Sequence, residues 1–205
     1  MYATSVLTGD IIKSRAQTNP DIWLGTLKKT LSALRPNNIF WNIYRGDSFQ
    51  IETEHISSNF LAAIYIKACI KTIKNLDVRI AIGIGNKTYQ GHRVEESSGP
   101  AFIYSGETLE ILKHEKQNLR IKTDYPEMDS ELNLYFKLAL IAMDSWTVNS
   151  AEIVKLSIEN PNALQSELGK LIGINQNAVS MRQKRAHLSE ILELDKMYRK
   201  KTAAL

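Results

Sequence analysis

The sequence has few of the features that mark secreted or membrane-spanning proteins. Its 205 residues include a single cysteine, Cys69, so a disulfide framework is excluded and a reducing compartment is indicated. No apolar run approaches the roughly 18 residues of a membrane span, and the first residues lack the basic and apolar segments of a signal peptide. These absences predict a cytoplasmic protein without a membrane partner.

Several motifs of catalysis and cofactor binding are also missing. The chain has no Walker loop, no Gly-x-Ser-x-Gly and no zinc-ligand spacing, and residues 83–85 lack the third glycine of a dinucleotide fingerprint. The net charge of +4 is concentrated in residues 176–205, which contain seven Lys and Arg against three acids. This basic segment favours nucleic acid as a partner.

Two Gly-Asp pairs, Gly9-Asp10 and Gly46-Asp47, are the most informative feature that is present. Asp is depleted in strands because its side chain competes for local hydrogen bonds, yet each pair lies on a strand-like run. If these strands lie side by side in one sheet, the two carboxylates converge, which suits a hard divalent cation held against nucleotide phosphates. The alternative is that both are turn residues after glycine.

The order of the predicted elements gives the fold class. Residues 1–124 show the order β-α-β-β-α-β-α-β, with a tight hairpin at Gly46-Asp47 and an amphipathic helix over about 55–75. This order predicts an α+β fold with a ferredoxin-like, antiparallel or mixed sheet and helices on one face. A break in the pattern after Asp124 predicts that residues 125–205 form a second, all-helical domain.

Residues 163–187 match the template of a helix-turn-helix motif. In that template Gly169 lets two helices approach, Gly173 makes a left-handed turn and Val179 fills the core from the second helix. Gln and Asn can pair with adenine edges, and Lys and Arg with guanine or phosphate. Six residues of the second helix are therefore expected to face double-stranded DNA: Gln176, Asn177, Ser180, Met181, Lys184 and Arg185. The alternative is a helical hairpin with a solvated charged face.

The apolar residues after this motif predict one more amphipathic helix, over about 188–197. It has two alternative roles, to cover the first domain or to pair with another chain. A homodimer is therefore one of the open alternatives.

Four short stretches resemble, in the same order, the signature segments of the class III nucleotidyl cyclase palm domain. They are residues 8–12, 45–49, 78–85 and 99–102. More closely, residues 9–15, 46–50 and 91–97 resemble the bacterial SatD-type proteins, which have that palm-like pattern and a C-terminal helix-turn-helix. The resemblance covers residues 3–112 and, separately, the tail.

The resemblance implies a metal site and a phosphate site. Asp10 and Asp47 would supply two carboxylates to Mg²⁺ or Mn²⁺, and the carbonyl of Ile11 would be a further ligand. Lys13 and Arg15, on the loop after Asp10, are candidate partners of a phosphate group, and the alternative is a solvated loop of mixed charge. The expected ligand is a nucleotide or another phosphorylated small molecule.

The catalytic residues of the cyclases do not carry over to this chain. In the cyclases, the helix after the fourth stretch supplies an Asn and an Arg, whereas the matching positions here are Ile103 and Glu107, and Pro100 replaces an Asp. An apolar group cannot donate a hydrogen bond, and a carboxylate opposes the charge that develops on phosphate. The resemblance therefore predicts a degenerate domain without catalytic residues.

Together these features predict a bacterial-type transcriptional regulator that binds DNA through its tail and senses a ligand through its palm-like domain. Two alternatives stay open. One is an active nucleotidyl cyclase or nucleotidyl transferase gated by the tail, against which Ile103 and Glu107 speak. The other is a scaffold that binds another protein through the tail, against which the basic charge speaks.

Overall fold

Helices and strands alternate through the first part of the chain and give way to helices alone. The computed structural model describes residues 2–203 and 205, and it contains five strands and eight α-helices in those residues. In chain order they are β1 (Tyr2–Ile12), α1 (Asp21–Leu34), β2 (Trp41–Tyr44), β3 (Ser48–Glu52), α2 (Asn59–Lys71), β4 (Asp77–Lys87), α3 (Pro100–Glu115), β5 (Leu119–Lys122), α4 (Pro126–Met143), α5 (Val148–Glu159), α6 (Gln165–Ile172), α7 (Gln176–Arg185) and α8 (Leu188–Thr202). None of the described helices is long and apolar enough to cross a membrane. The fold is α+β, as predicted.

The five strands form one mixed sheet in the order β2-β3-β1-β4-β5. β1 lies in its middle, antiparallel to both β3 and β4, and β5 is parallel to β4. The predicted hairpin is present as the β2-β3 pair. The strands of the two Gly-Asp pairs lie side by side in this sheet. β1 and β3 are neighbours, and Asp10 lies opposite Ser48, the residue after Asp47.

Helices cover both faces of the sheet, so the expectation of helices on one face is wrong. Leu7 of β1 faces the core that contains α1 and α2, whereas its neighbours Val6 and Thr8 point to the opposite face. There Thr8 Oγ1 donates a hydrogen bond to Ser105 Oγ of α3 at 2.9 Å. Glycine makes this approach of α3 possible, because a Cβ at Gly83 of β4 would collide with the carbonyl of Ala101.

Helix α2 is buried on almost all sides rather than amphipathic as predicted. Twelve of its 13 residues are buried, because it packs against α1, α5, α8 and the sheet. The ammonium groups of its two lysines are neutralised: Lys67 Nζ lies 2.6 Å from Asp77 Oδ1 and 2.7 Å from Asp144 Oδ1, and Lys71 Nζ lies 3.1 Å from Asp77 Oδ2. Buried charges of this kind have to be paired.

One hydrophobic core joins residues from both sides of position 124. Phe60 of α2, Phe136 of α4 and Tyr198 of α8 stack at its centre, with centroids 4.8 Å apart for Phe60 and Phe136 and 5.9 Å apart for Phe60 and Tyr198. Tyr198 is fully buried. Of the two roles open to the last helix, the structure therefore shows that α8 covers the sheet-containing part of the same chain.

Candidate functional site

Asp10 lies at the end of the sheet beneath α3, where it pairs with a cation of the neighbouring strand. Its Oδ2 accepts a hydrogen bond from Arg79 Nη1 at 3.1 Å, since Asp10 and Arg79 are directly opposite in the β1-β4 ladder. Within the described part of the chain, Asp10 Oδ1 and Arg79 Nε are buried without hydrogen-bond partners. This ion pair therefore keeps one unsatisfied acceptor and one unsatisfied donor, a rare condition for buried polar atoms.

Asp47 holds the turn between β2 and β3 against the loop after β1. Its carbonyl accepts a hydrogen bond from Ile11 N at 3.0 Å, and its Oδ2 accepts one from Ser14 Oγ at 2.6 Å. Burial raises the pKa of Asp10 above its ordinary value of 3.8, and the negative charge of Asp47 adds to the rise, whereas Arg79 opposes it. Asp10 and Asp47 thus lie on neighbouring parts of the chain where β1 pairs with β3.

The residues around these two carboxylates fit a divalent cation only in part. The unpartnered Asp10 Oδ1 is a free oxygen donor of the kind that Mg²⁺ and Mn²⁺ prefer. The neighbour that completes the site is the guanidinium of Arg79, however, and a cation there competes with a metal. Among residues 2–203 and 205, no three His, Cys, Asp or Glu side chains are grouped so that they could hold a metal ion.

Arg79 is the residue of this site that the sequence interpretation missed. The available signal was a single cation within the otherwise apolar strand run of residues 78–84. Its pairing with Asp10 depends on the register between strands that are 69 residues apart along the chain. No local pattern fixes that register.

The two candidate phosphate-binding residues have different surroundings. Lys13 has a left-handed backbone conformation, with φ of 64°, and lines a cleft of about 640 Å³ between the β1-β4 end of the sheet and the start of α5. Arg15 is exposed two residues further on and does not line this cleft. The structure therefore separates two residues that the sequence grouped.

The cleft has an excess of positive charge. Its two acids, Asp77 and Asp144, are matched by the two buried lysines of α2, and Asn118 Nδ2 donates a further hydrogen bond to Asp144 Oδ2 at 3.0 Å. Lys13 and Lys74 also line the cleft, and neither has an ion pair among the residues that the structure describes. The result is a polar cleft with two available ammonium groups.

Helices α6 and α7 are joined by a tight turn whose residues match the geometric roles expected from the sequence. Gly173 has φ of 69°, and a Cβ at Gly169 would collide with the carbonyl of Ile174. Asn175 then caps α7, because its Oδ1 accepts a hydrogen bond from Ala178 N at 2.8 Å. Val179 is fully buried in a small cluster with residues of α5 and α6.

Helix α7 has one anchored face and one exposed face. On the anchored face, Arg182 Nη1 donates to Glu152 Oε2 at 2.7 Å and Gln183 Nε2 donates to Ser157 Oγ at 3.0 Å, so both residues are held against α5. All six side chains predicted to face DNA are exposed: Gln176, Asn177, Ser180, Met181, Lys184 and Arg185. The outward face of α7 is thus polar and positively charged.

Part of the basic charge of the tail is neutralised by acids elsewhere in the chain. Arg182, Arg199 and Lys201 are paired with Glu152, Asp195 and Glu131. Among the described residues, the cations of the tail that have no ion pair are Lys184, Arg185, Lys196 and Lys200. Two of these four lie on α7, next to each other on its exposed face.

The positions that differ from the cyclase pattern lie on α3. Pro100 is its first residue, Ile103 is 54% exposed, and Glu107 is also exposed. Neither side chain provides a hydrogen-bond donor for a phosphate.

Comparisons with protein-family models, with curated proteins and with solved structures find no match for this chain.

Proposed function

We propose that this protein is a bacterial DNA-binding transcriptional regulator of the SatD type, located in the cytoplasm. In this proposal α6 and α7 form a helix-turn-helix, and α7 enters the major groove. The sheet and α1 to α3 form a ferredoxin-like, cyclase-like palm that has lost catalysis and binds a phosphorylated ligand. In the same proposal, residues 1–124 and 125–205 are divided by role, while one hydrophobic core joins them.

The observation that carries the proposal is the asymmetry of α7. Hydrogen bonds and the buried Val179 fix its inner face against α5 and α6. Its outer face presents amide and hydroxyl groups at its start and two exposed cations, Lys184 and Arg185, at its end. A rigid helix with base-pairing groups and phosphate-binding cations on one side has the features that recognition helices need.

The experiment is a measurement of duplex binding by fluorescence anisotropy over a range of salt concentrations. The test variant is Lys184→Ala with Arg185→Ala. The control is Lys28→Ala with Lys29→Ala, two exposed lysines of α1 whose removal changes the net charge by the same amount. Selection of bound genomic fragments with the full chain supplies the duplexes.

The four unpaired cations of the tail give an expected log-log salt slope of up to about −3.6 per protomer, since each phosphate contact contributes about −0.9. The double variant on α7 is expected to flatten this slope by about 1.8 and to weaken binding to every sequence. Asn177→Ala is expected to cost about 1–3 kcal/mol only at preferred sites. Equal binding by the wild type and the α7 double variant contradicts the proposal.

The ligand proposal concerns the cleft between the sheet and α5. Lys13 and Lys74 line it without ion pairs to any described residue, and the N-terminus of α5 carries a partial positive charge beside them. Helix α5 is also the helix that holds α7 through Arg182 and Gln183. An anion bound in the cleft therefore contacts α5, the helix that positions α7. Ligand binding in the cleft is in this way coupled to DNA binding by α7.

Calorimetry with inorganic phosphate and with ATP tests the ligand proposal. Lys13→Ala is expected to weaken binding about tenfold, because a hydrogen bond to a charged group contributes about 1.5–3 kcal/mol. Arg15→Ala removes the same charge two residues away, outside the cleft, and is expected to leave the affinity unchanged. Equal losses in the two variants indicate a diffuse electrostatic effect and contradict this site.

We also propose that Mg²⁺ or Mn²⁺ binds weakly at Asp10, Asp47 and the carbonyl of Ile11, in competition with Arg79. The unpartnered Asp10 Oδ1 supports this, whereas the ion pair with Arg79 opposes it. Arg79→Ala is then expected to tighten Mn²⁺ binding in calorimetry, and Asp47→Asn to weaken it. If Arg79→Ala leaves the affinity for Mn²⁺ unchanged, the carboxylates do not bind metal.

We propose that the protein has no cyclase activity, because neither Ile103 nor Glu107 can donate a hydrogen bond to a phosphate group. Incubation of the protein with ATP or GTP and Mn²⁺ is expected to give no cyclic product above the level of Asp10→Asn. Product formation that Asp10→Asn abolishes restores the alternative of an active nucleotidyl cyclase.

A further inference from the structure

Helix α4 carries a row of exposed apolar side chains. Leu134, Leu138 and Ile141 are 56%, 57% and 75% exposed, and their spacing of four and three residues places them on one line along the helix. Single exposed apolar residues are common on protein surfaces, whereas a continuous apolar ridge marks a contact surface. We call these three residues the α4 ridge.

An apolar groove runs directly beside the α4 ridge. It lies between α4 and α8 and has a volume of about 400 Å³. Leu138 and Ile141 of the α4 ridge form part of its wall, together with Ala139, Ala142, Ile191 and Leu194, and Tyr135, His187 and Glu190 line it as well. The ridge and the groove therefore form neighbouring parts of one surface. Ridges of one helix pack into grooves between the side chains of another.

The two helices that form this surface run in opposite directions. Lys201, near the end of α8, lies 2.8 Å from Glu131 in the first half of α4, whereas His187, just before α8, lines the groove with Ala142 near the end of α4. Helix α7 ends at Arg185, two residues before His187. The C-terminal end of α7 therefore lies near the C-terminal end of the α4 ridge.

We propose that this surface pairs with the same surface of a second copy of the chain, about a twofold axis that runs along α4. A rotation about that axis places the α4 ridge of each copy in the groove of the other. Such a contact is self-complementary and closed, which is the common form of homodimer interfaces. The pairing itself does not depend on DNA binding.

The charged residues at the edges of the surface favour this twofold axis over one that runs across α4. Lys137 is exposed on the flank of α4 that faces away from the groove, and Glu190 lies on the far side of the groove, on α8. The proposed rotation brings Lys137 of one copy opposite Glu190 of the second copy, twice in each dimer. A twofold axis across α4 brings the α4 ridges together and places like charges opposite each other.

The size of the surface formed by the α4 ridge and the groove agrees with a reversible dimer. Helix α4 has 18 residues and is therefore about 27 Å long, and two packed helices are together about 20 Å wide. The footprint is on the order of 500 Å² for each copy, which lies at the lower end of specific interfaces. We expect dissociation in the micromolar range.

The proposed axis also agrees with the proposed function. Because it runs along α4, the two copies of α7 lie at the same end of the dimer. Dimeric regulators need this arrangement, since their two recognition helices bind half-sites about 34 Å apart on one side of the duplex. Only this step rests on the proposed function.

The test is the mass of the full chain in sedimentation experiments without DNA, from about 1 to 200 μM. The wild type is expected to rise from 23.2 kDa to twice that mass, and Ile141→Glu to stay monomeric throughout. Ile103→Glu, an exposed apolar residue of α3, is the matched control and is expected to dimerise like the wild type. Circular dichroism checks that each variant is folded.

Charge reversal tests the geometry of the pairing. Lys137→Glu and Glu190→Lys are each expected to raise the dissociation constant about tenfold, since each creates two repulsive pairs per dimer. The double variant is expected to restore the wild-type value. A wild type that stays monomeric at every concentration, dimerisation of Ile141→Glu, or a double variant as weak as the single ones overturns the proposal. Failure of DNA binding with an intact dimer overturns the proposed function alone.

Discussion

The aromatic contact that joins the last helix to the sheet-containing part of the chain allows a test of the domain organisation. Tyr198 is fully buried between Phe60 and Phe136, and its hydroxyl donates a hydrogen bond to the carbonyl of Ile56 at 3.3 Å. The three aromatic rings come from α2, α4 and α8. Removal of the ring in Tyr198→Ala therefore leaves a cavity in the shared core rather than in one helical unit.

The loss of unfolding free energy expected for Tyr198→Ala follows from the size of the side chain and the depth of its burial. Truncation of a buried aromatic residue to Ala costs about 3–5 kcal/mol of unfolding free energy. In a chain of this length, each kcal/mol lowers Tm by about 2–4 °C, so Tyr198→Ala is expected to lower Tm by about 12 °C. Tyr198→Phe loses only the hydroxyl hydrogen bond and is expected to cost about 1 kcal/mol.

Tryptophan fluorescence during urea unfolding measures this loss separately in the two parts of the chain. Trp23 of α1 and Trp146 of the α4-α5 turn are both buried, and each becomes the only probe when the other tryptophans are replaced by Phe. We expect Tyr198→Ala to lower the unfolding midpoint equally at both probes. If the midpoint at Trp23 does not move, residues 1–124 unfold independently of α8, and the shared core does not couple the two parts of the chain.

Further predictions concern four single residues elsewhere in the fold. Glu52→Gln leaves the buried ammonium of Lys87, now 2.6 Å from the carboxylate, without its counter-charge and is expected to cost about 3–5 kcal/mol in thermal denaturation. Burial raises the pKa of Asp10, so its stabilising contribution is complete below pH 3.8 and is lost as pH rises through the higher folded-state value; Asp10→Asn is therefore expected to flatten the dependence of Tm on pH above 3.8, and an unchanged dependence contradicts this. Gly173→Ala is expected to cost about 1 kcal/mol because its φ of 69° is unfavourable for a side chain, whereas Gly106→Ala, within α3 and without a neighbour in the way, is expected to stabilise by up to about 1 kcal/mol.

Local features of the chain were predictable because a few consecutive residues determine them. The turn between α6 and α7 follows from a glycine that adopts a left-handed conformation at 173. The outward face of α7 follows from helical periodicity once Val179 is placed in the core. The order of strands and helices follows in the same way from alternation, spacing and breaks.

Pairings between distant segments needed the tertiary structure. Asp10 was a candidate from sequence, but its partner Arg79 is fixed by the β1-β4 register, and the cleft that separates Lys13 from Arg15 is closed by α5, more than 130 residues away. The burial of α2 on nearly all sides has the same origin, because α5 and α8 cover the face that would otherwise meet solvent. The sequence by itself thus determined which segments become helices or strands and, for α7, which residues face outward. Only the tertiary structure decided which charges meet and which apolar faces stay exposed, because those outcomes are set by the sum of many weak contacts between residues far apart in the chain.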